Sequence, residues 1–218
     1  MSANLQPSID RIREIVAEEI ADAGGTVSDC FHDGRRLYLR AVLPEARDVR
    51  PQDAVHGGVA VMTTGDNLRV CPYIFRQVCR NGAILAQVIY VREVRRLPQR
   101  SEDIEWELRE AVQGCTSPEV LSSAVTQMQS ATTRAASHLV TLLPLLTHLR
   151  RFSELILAHF EREADRSAFG LMNAVTSVAR DEPDPDTRWQ LEELGGGILA
   201  LLPLAPRCRA AAEQLVQA

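Results

Sequence analysis

From Arg35 to Leu43 the chain reads R-R-L-Y-L-R-A-V-L, and apolar and polar residues alternate. In an extended chain this places Leu37, Leu39 and Ala41 on one face and Arg36, Tyr38 and Arg40 on the other. The first face needs a hydrophobic layer against it. The second offers guanidinium groups and a ring, so the pattern predicts a sheet with one core face and one basic-aromatic face. The period of two runs from Thr26 to Glu93. His56–Thr63 and Asn67–Phe75 predict a hairpin across Thr64-Gly65-Asp66. Ala83 to Val94 is mostly apolar and reads equally as a buried strand or as the opening of a helix.

On both sides of this region the period is helical. Ser8 can cap a helix to about Ala23 in which Ile9, Ile12, Ile15, Val16 and Ile20 recur, and Gly24-Gly25 ends it. After a boundary at Pro98–Ser101, acids in the first turn open a helix at E-D-I-E-W-E-L-R-E-A-V, and Ser117-Pro118-Glu119 opens another. A long stretch from Leu121 to about Glu163 carries a break or kink at Pro144. Further helices follow over Asp165–Arg180, Trp189–Leu202 and Arg207–Val216. D-E-P-D-P-D at 181–186 reads as an exposed acidic linker and Gly195-Gly196-Gly197 as a helix break. The expected fold is α+β: an N-terminal helix and a small, mainly antiparallel sheet over residues 1–98, then a helical half over 99–218 packed on it as one unit.

All 24 basic residues are arginine, so each cation is a planar fork able to clamp a phosphate or stack on a base. Residues 35–100 hold 12 arginines against five acids, and residues 101–218 hold 10 against 17. A basic sheet half beside an acidic helical half suggests a single anion-binding face. Cys30, Cys71, Cys79, Cys115 and Cys208 are odd in number and form no C-x-x-C pair, which argues for a reducing compartment. The N-terminal segment shows no signal-peptide pattern, and no apolar run approaches the roughly 20 residues of a membrane span. The expectation is a cytoplasmic protein without a membrane partner.

The densest stretch is N-L-R-V-C-P-Y-I-F-R-Q-V-C-R-N-G-A-I, Asn67 to Ile84. Asn81-Gly82 signals a tight turn, which would hold Arg76 and Arg80 together at a strand end. Its segment Pro72–Ile84 resembles the central motif of the DUF932 family of phage/plasmid-like proteins, in which an arginine leads into a Val-Cys-x-Asn-Gly turn. F-G-L-M-N-A-V-T, Phe169–Thr176, is similar to that family's helical Asn-Ala-Val-Thr signature. The chain departs from the family at Ser177-Val178-Ala179-Arg180, where an aromatic-acidic-His run is usual. The resemblance implies association with mobile elements and no established reaction. On the helical motif, Phe169, Asn173, Thr176 and Arg180 share one side and Leu171, Val175 and Val178 the other. The expectation is that Asn173 and Thr176 hydrogen-bond the backbone of the Cys79–Gly82 turn, making the two motifs one site.

Arginine forks beside aromatic rings recur where proteins hold single strands. The leading expectation is therefore binding of nucleic acid, with single-stranded DNA favoured, in annealing, recombination or replication of mobile elements. Its residues would be Arg36, Tyr38, Arg40, Arg69, Tyr73, Arg76 and Arg80, with Cys79, Asn81, Gly82, Asn173 and Thr176 as motif residues. The competing reading makes Tyr73 and Phe75 core and the arginines solvated. A second function is a protein-interaction accessory factor acting through the acidic helical half. A third is cysteine chemistry by Cys79 with His56 and Asn81. No cofactor motif is present, and His138, His148 and His159 lack zinc spacing. A homo-oligomer is compatible with each reading.

Overall fold

The computed structural model describes residues 8–65, 67–86, 92–94, 101–141 and 149–201. Helix α1 (Ile9–Asp22) begins where Ser8 Oγ accepts from the Arg11 amide at 3.2 Å, and it buries Ile12, Ile15, Val16 and Ile20. Gly24 (φ +73°) turns the chain into the sheet. Five strands follow as an antiparallel meander: β1 (Thr26–His32), β2 (Arg36–Arg50), β3 (Asp53–Thr64), β4 (Asn67–Arg76) and β5 (Asn81–Ile84). The expected β3–β4 hairpin forms, with Thr64 inside β3 and paired with Asn67, one residue beyond the expected strand end. The segment after Ala83 begins as strand: Tyr73 pairs Ile84, and β6 (Arg92–Val94) pairs Leu68–Val70 farther along the same edge of β4.

The helical half consists of α2 (Ser101–Cys115), α3 (Pro118–Thr132), a single turn α4 (Ser137–Val140), α5 (Ser153–Arg162) behind a 3-10 turn at Arg150–Phe152, α6 (Ala168–Asp181) and α7 (Pro185–Leu201). The stretch expected to run from Leu121 to Glu163 is interrupted first after Thr132. Pro144 lies outside the described residues, as do the boundary at Pro98 and the helix expected over Arg207–Val216. Among the described residues, no helix is long and apolar enough to cross a membrane.

Both faces of the sheet are covered. Leu37, Leu39, Ala41, Val59, Val61, Leu68 and Val70 pack against α1 and against Leu108, Ala111 and Val112 of α2. The opposite face, expected at solvent, buries Tyr38, Ala60, Cys71 and Tyr73 beneath Trp189 of α7. Close packing governs both the helical motif and the triple glycine, and it changes the reading of the latter. α6 is buried on all sides from Ala168 to Ala179, because β5, α3, α5 and α7 all pack on it. The triple glycine lies within α7 and does not break it. A Cβ on Gly195 would stand 2.5 Å from Thr176 Cγ2, and one on Gly196 would overlap the Ile84 carbonyl oxygen. These glycines let α7 approach α6 and β5 closely, and packing outweighs the propensity cost of about 1 kcal/mol per glycine.

Candidate functional site

Of the arginines expected to bind nucleic acid, Arg36, Arg40 and Arg69 do share one sheet face, since Tyr38 pairs Met62 and Met62 pairs Arg69, whereas Arg76 alternates onto the other face of β4 and Arg80 lies in the turn after it. That face belongs to α7, whose carboxylates neutralise it. Arg36 Nη1 donates to Asp186 at 2.7 Å, and its Nε and Nη2 donate to Asp33. Those bonds hold the Asp33 carboxyl down at about 2. Tyr38 donates its hydroxyl to Asp186; burial first, and then this carboxylate, push its ionisation up. Arg40, 2% exposed, is clamped by Glu192, itself 1% exposed, with Nε 2.7 Å from Oε2, and Nη1 reaches Asp29 at 3.1 Å. Burial raises the Glu192 carboxyl against the pull of Arg40 and Arg188. Arg69 pairs with Glu193 and lies 5.8 Å from the Trp189 ring. Tyr73 is buried.

Could α7 move aside to bare these groups? It carries the buried side chains Trp189, Leu191, Ile198 and Leu199. At about 1.5–3 kcal/mol for each buried apolar side chain, these four alone amount to roughly 6–12 kcal/mol. That is comparable with the whole stability of a domain, about 5–15 kcal/mol. α7 is therefore core, and Arg36, Tyr38, Arg40, Arg69 and Tyr73 form no free polyanion groove.

The two sequence motifs do meet. Asn81 Nδ2 donates to Thr176 Oγ1 at 2.7 Å, and Arg180 Nη1 donates to the Cys79 carbonyl at 2.8 Å. The contact runs through the Asn81 side chain, whereas the expected bond was from Asn173 and Thr176 to the turn backbone. Asn173 supplies only its carbonyl oxygen, 3.4 Å from Asn81 Nδ2. The turn itself also differs: Asn81 and Gly82 are strand residues, and the left-handed residue is Arg80 (φ +52°). Gly82 is required because a Cβ there would overlap the Tyr73 hydroxyl. With Gly195 on Thr176 and Gly196 on Ile84, this is a three-way joint of β5, α6 and α7.

At the outer end of the joint is a cleft of about 580 Å³ lined by Val78, Cys79, Arg80, His159, Arg162, Glu163, Ser177 and Arg180. The turn after β4, the C-terminal end of α5 and that of α6 each contribute a guanidinium. Arg80 and Arg162 form no ion pair with a described carboxylate, whereas Arg180 holds Asp181 at 2.8 Å. Arg162 Nη2 lies 2.8 Å from His159 Nδ1, which accepts as the neutral ring. Burial and then the Arg162 charge lower the His159 pKa. Val78 stands 61% exposed at the rim. Arg76 lies behind the wall, bidentate to Asp53 at 2.6 and 2.9 Å, and its Nη1 donates to Cys79 Sγ at 3.0 Å.

The expected grouping of Cys79, His56 and Asn81 does not assemble. His56 contacts the Leu43 carbonyl and Gln77, and the Asn81 amide faces α6. Of the nucleic-acid set, only Arg80 opens onto the cleft. His159 and Arg162 were missed as site residues; a His-x-x-Arg pair one helical turn apart is their signal, and it is common on solvated helices. No family model, curated protein or solved structure matches the chain.

Proposed function

We propose that the protein binds single-stranded nucleic acid at the cleft beside the motif joint, with no bond-breaking step. The observation that carries the reading is the convergence of Arg80, Arg162 and Arg180 from three separate elements on one concavity. Guanidinium forks suit phosphate oxygens and stack on bases. Glu163 at the wall and Asp181 on Arg180 limit the net positive charge, so the contact is short, two or three phosphates at most. The resemblance to DUF932 proteins adds a setting in mobile elements, and the cysteine usage adds a reducing, cytoplasmic one. A homo-oligomer would align several such short contacts along one strand, which is how an annealing protein could gain affinity from a small site.

The test is fluorescence polarisation with single-stranded and duplex oligonucleotides at two salt concentrations. Binding to the single strand that weakens with salt and is lost in Arg80→Ala/Arg162→Ala supports the reading. No binding at low salt overturns it. The accessory-factor reading keeps one observation in its favour: Trp106 of α2 is 59% exposed beside Glu105 and Glu107. Its acids on α7 are already engaged by the sheet, so α2 is the surface on which it would depend. Trp106→Ala leaves oligonucleotide binding unchanged if the cleft is the site.

A further inference from the structure

The cleft holds a nucleophile that phosphate binding does not use. Cys79 is half-buried and lines the cleft, and the Arg76 guanidinium, itself fixed by Asp53, holds its sulfur at 3.0 Å. The other described cysteines do not line this cleft. Cys71 and Cys115 are buried, and burial pushes the Cys115 thiol up. Cys30 is exposed on β1, away from the cleft. Around Cys79 stand Arg80, Arg162 and Arg180, and the cleft volume falls within the range of small-molecule sites.

We propose that Cys79 is a thiol-exchange site selective for an anionic low-molecular-weight disulfide of the glutathione class. The guanidinium groups of Arg80 and Arg162 receive the carboxylates of the incoming molecule, and Arg180 flanks the backbone on which the thiol sits. The Cys79 sulfur, having given up its proton to water, attacks one sulfur of the disulfide. A new S–S bond joins Cys79 to one half, the old S–S bond breaks, and the other half leaves as a thiolate that takes up a proton. Cys79 is oxidised and the departing half is reduced, so electrons balance without a further reagent. The adduct would fill the cleft with carboxylates. If the cleft is the strand-binding site, as proposed above, modification releases the strand and a reductant restores binding.

The experiment uses the full chain and oxidised glutathione, with intact-mass and peptide mapping as readouts and no nucleic acid present. One adduct is expected, on Cys79. Its rate should exceed that with the neutral disulfide of 2-mercaptoethanol by at least about tenfold after scaling to free cysteine, the size of electrostatic steering into a charged cleft. Arg80→Ala/Arg162→Ala should remove that preference while Cys79 still reacts with the neutral disulfide. An adduct confined to Cys30, no adduct, or equal preference for the two disulfides overturns the proposal. A second measurement applies polarisation to the adduct. Exchange at Cys79 in a protein that never binds the oligonucleotide refutes the strand reading alone. Binding unaffected by the adduct refutes the regulatory link.

Discussion

The salt dependence of oligonucleotide binding decides between the sheet face and the cleft, because the two would engage different numbers of cations. Counterion release gives a slope of log K against log salt of about −0.7 for each phosphate neutralised on a single strand. The cleft presents Arg80 and Arg162 unpaired, and Arg180 already bound to Asp181. Two to three phosphates give a slope of about −1.4 to −2.1, and affinity falls roughly 7- to 18-fold between 50 and 200 mM salt. A groove made of Arg36, Arg40, Arg69, Arg76 and Arg80 would give about −3.5 and a fall of roughly 130-fold. The assay is a polarisation titration at four salt concentrations with wild type, Arg162→Ala and Arg36→Gln. The slope should become shallower by about 0.7 in Arg162→Ala. It should not change in Arg36→Gln, whose charge already belongs to Asp33 and Asp186. A wild-type slope near −3.5, or a slope that responds to Arg36 and not to Arg162, refutes the assignment to the cleft.

Three further outcomes follow from the same geometry. Glu192→Gln leaves Arg40 buried with only Asp29 as a charged partner and should cost about 3–5 kcal/mol in urea unfolding, whereas Arg40→Met/Glu192→Leu should recover most of that loss. Gly196→Ala drives a methyl group into the Ile84 carbonyl and should destabilise by about 1–3 kcal/mol or more, while Gly114→Ala on α2, with open space around it, should stabilise by about 0.5–1 kcal/mol. The His159 pKa lies below its ordinary 6.5, so the ring is neutral at pH 7 and gains its proton only as pH falls below 6.5 through the lower folded value. Strand binding should strengthen across that window as the cleft gains a charge, and His159→Asn should flatten the rise. The same proton is taken up more readily by the unfolded chain, so the stability contributed by the neutral ring is lost over the same fall in pH.

The alternation at Arg36–Ala41 made the core face legible because side-chain period depends only on local geometry. Leu37, Leu39 and Ala41 had to meet apolar partners, and α1 supplies them from Ile12, Ile15, Val16 and Ile20. The fate of Arg36 and Arg40 was not local. Their partners Asp186 and Glu192 lie about 150 residues away, and a guanidinium in a strand carries no mark of whether a carboxylate will reach it. Asn81-Gly82 misled for a related reason. The dipeptide signals a turn by tolerance of positive φ, yet Gly82 serves the approach of Tyr73, and Arg80 takes the left-handed conformation. That the two motifs meet was legible in outline, because a buried Asn needs a partner and Thr176 is one of the few polar groups on a buried helix.

The charge blocks carry the more general argument. A basic half followed by an acidic half suggests an outward-facing cationic surface, but two complementary blocks in one chain are first available to each other. Their local concentration is high, and no association entropy opposes the pairing. α7 brings Asp186, Glu192 and Glu193 onto Arg36, Arg40 and Arg69, while Asp53 and Asp165 take Arg76 and Arg50. Among the arginines of residues 35–100 whose side chains are described, Arg35 and Arg80 form no ion pair with a described carboxylate. Affinity for an outside anion must come from such a surplus and not from the formal charge of the block. Arg35 stands alone at the β1–β2 turn, whereas Arg80 is joined by Arg162 across a concavity, and that coincidence makes the cleft the site to test.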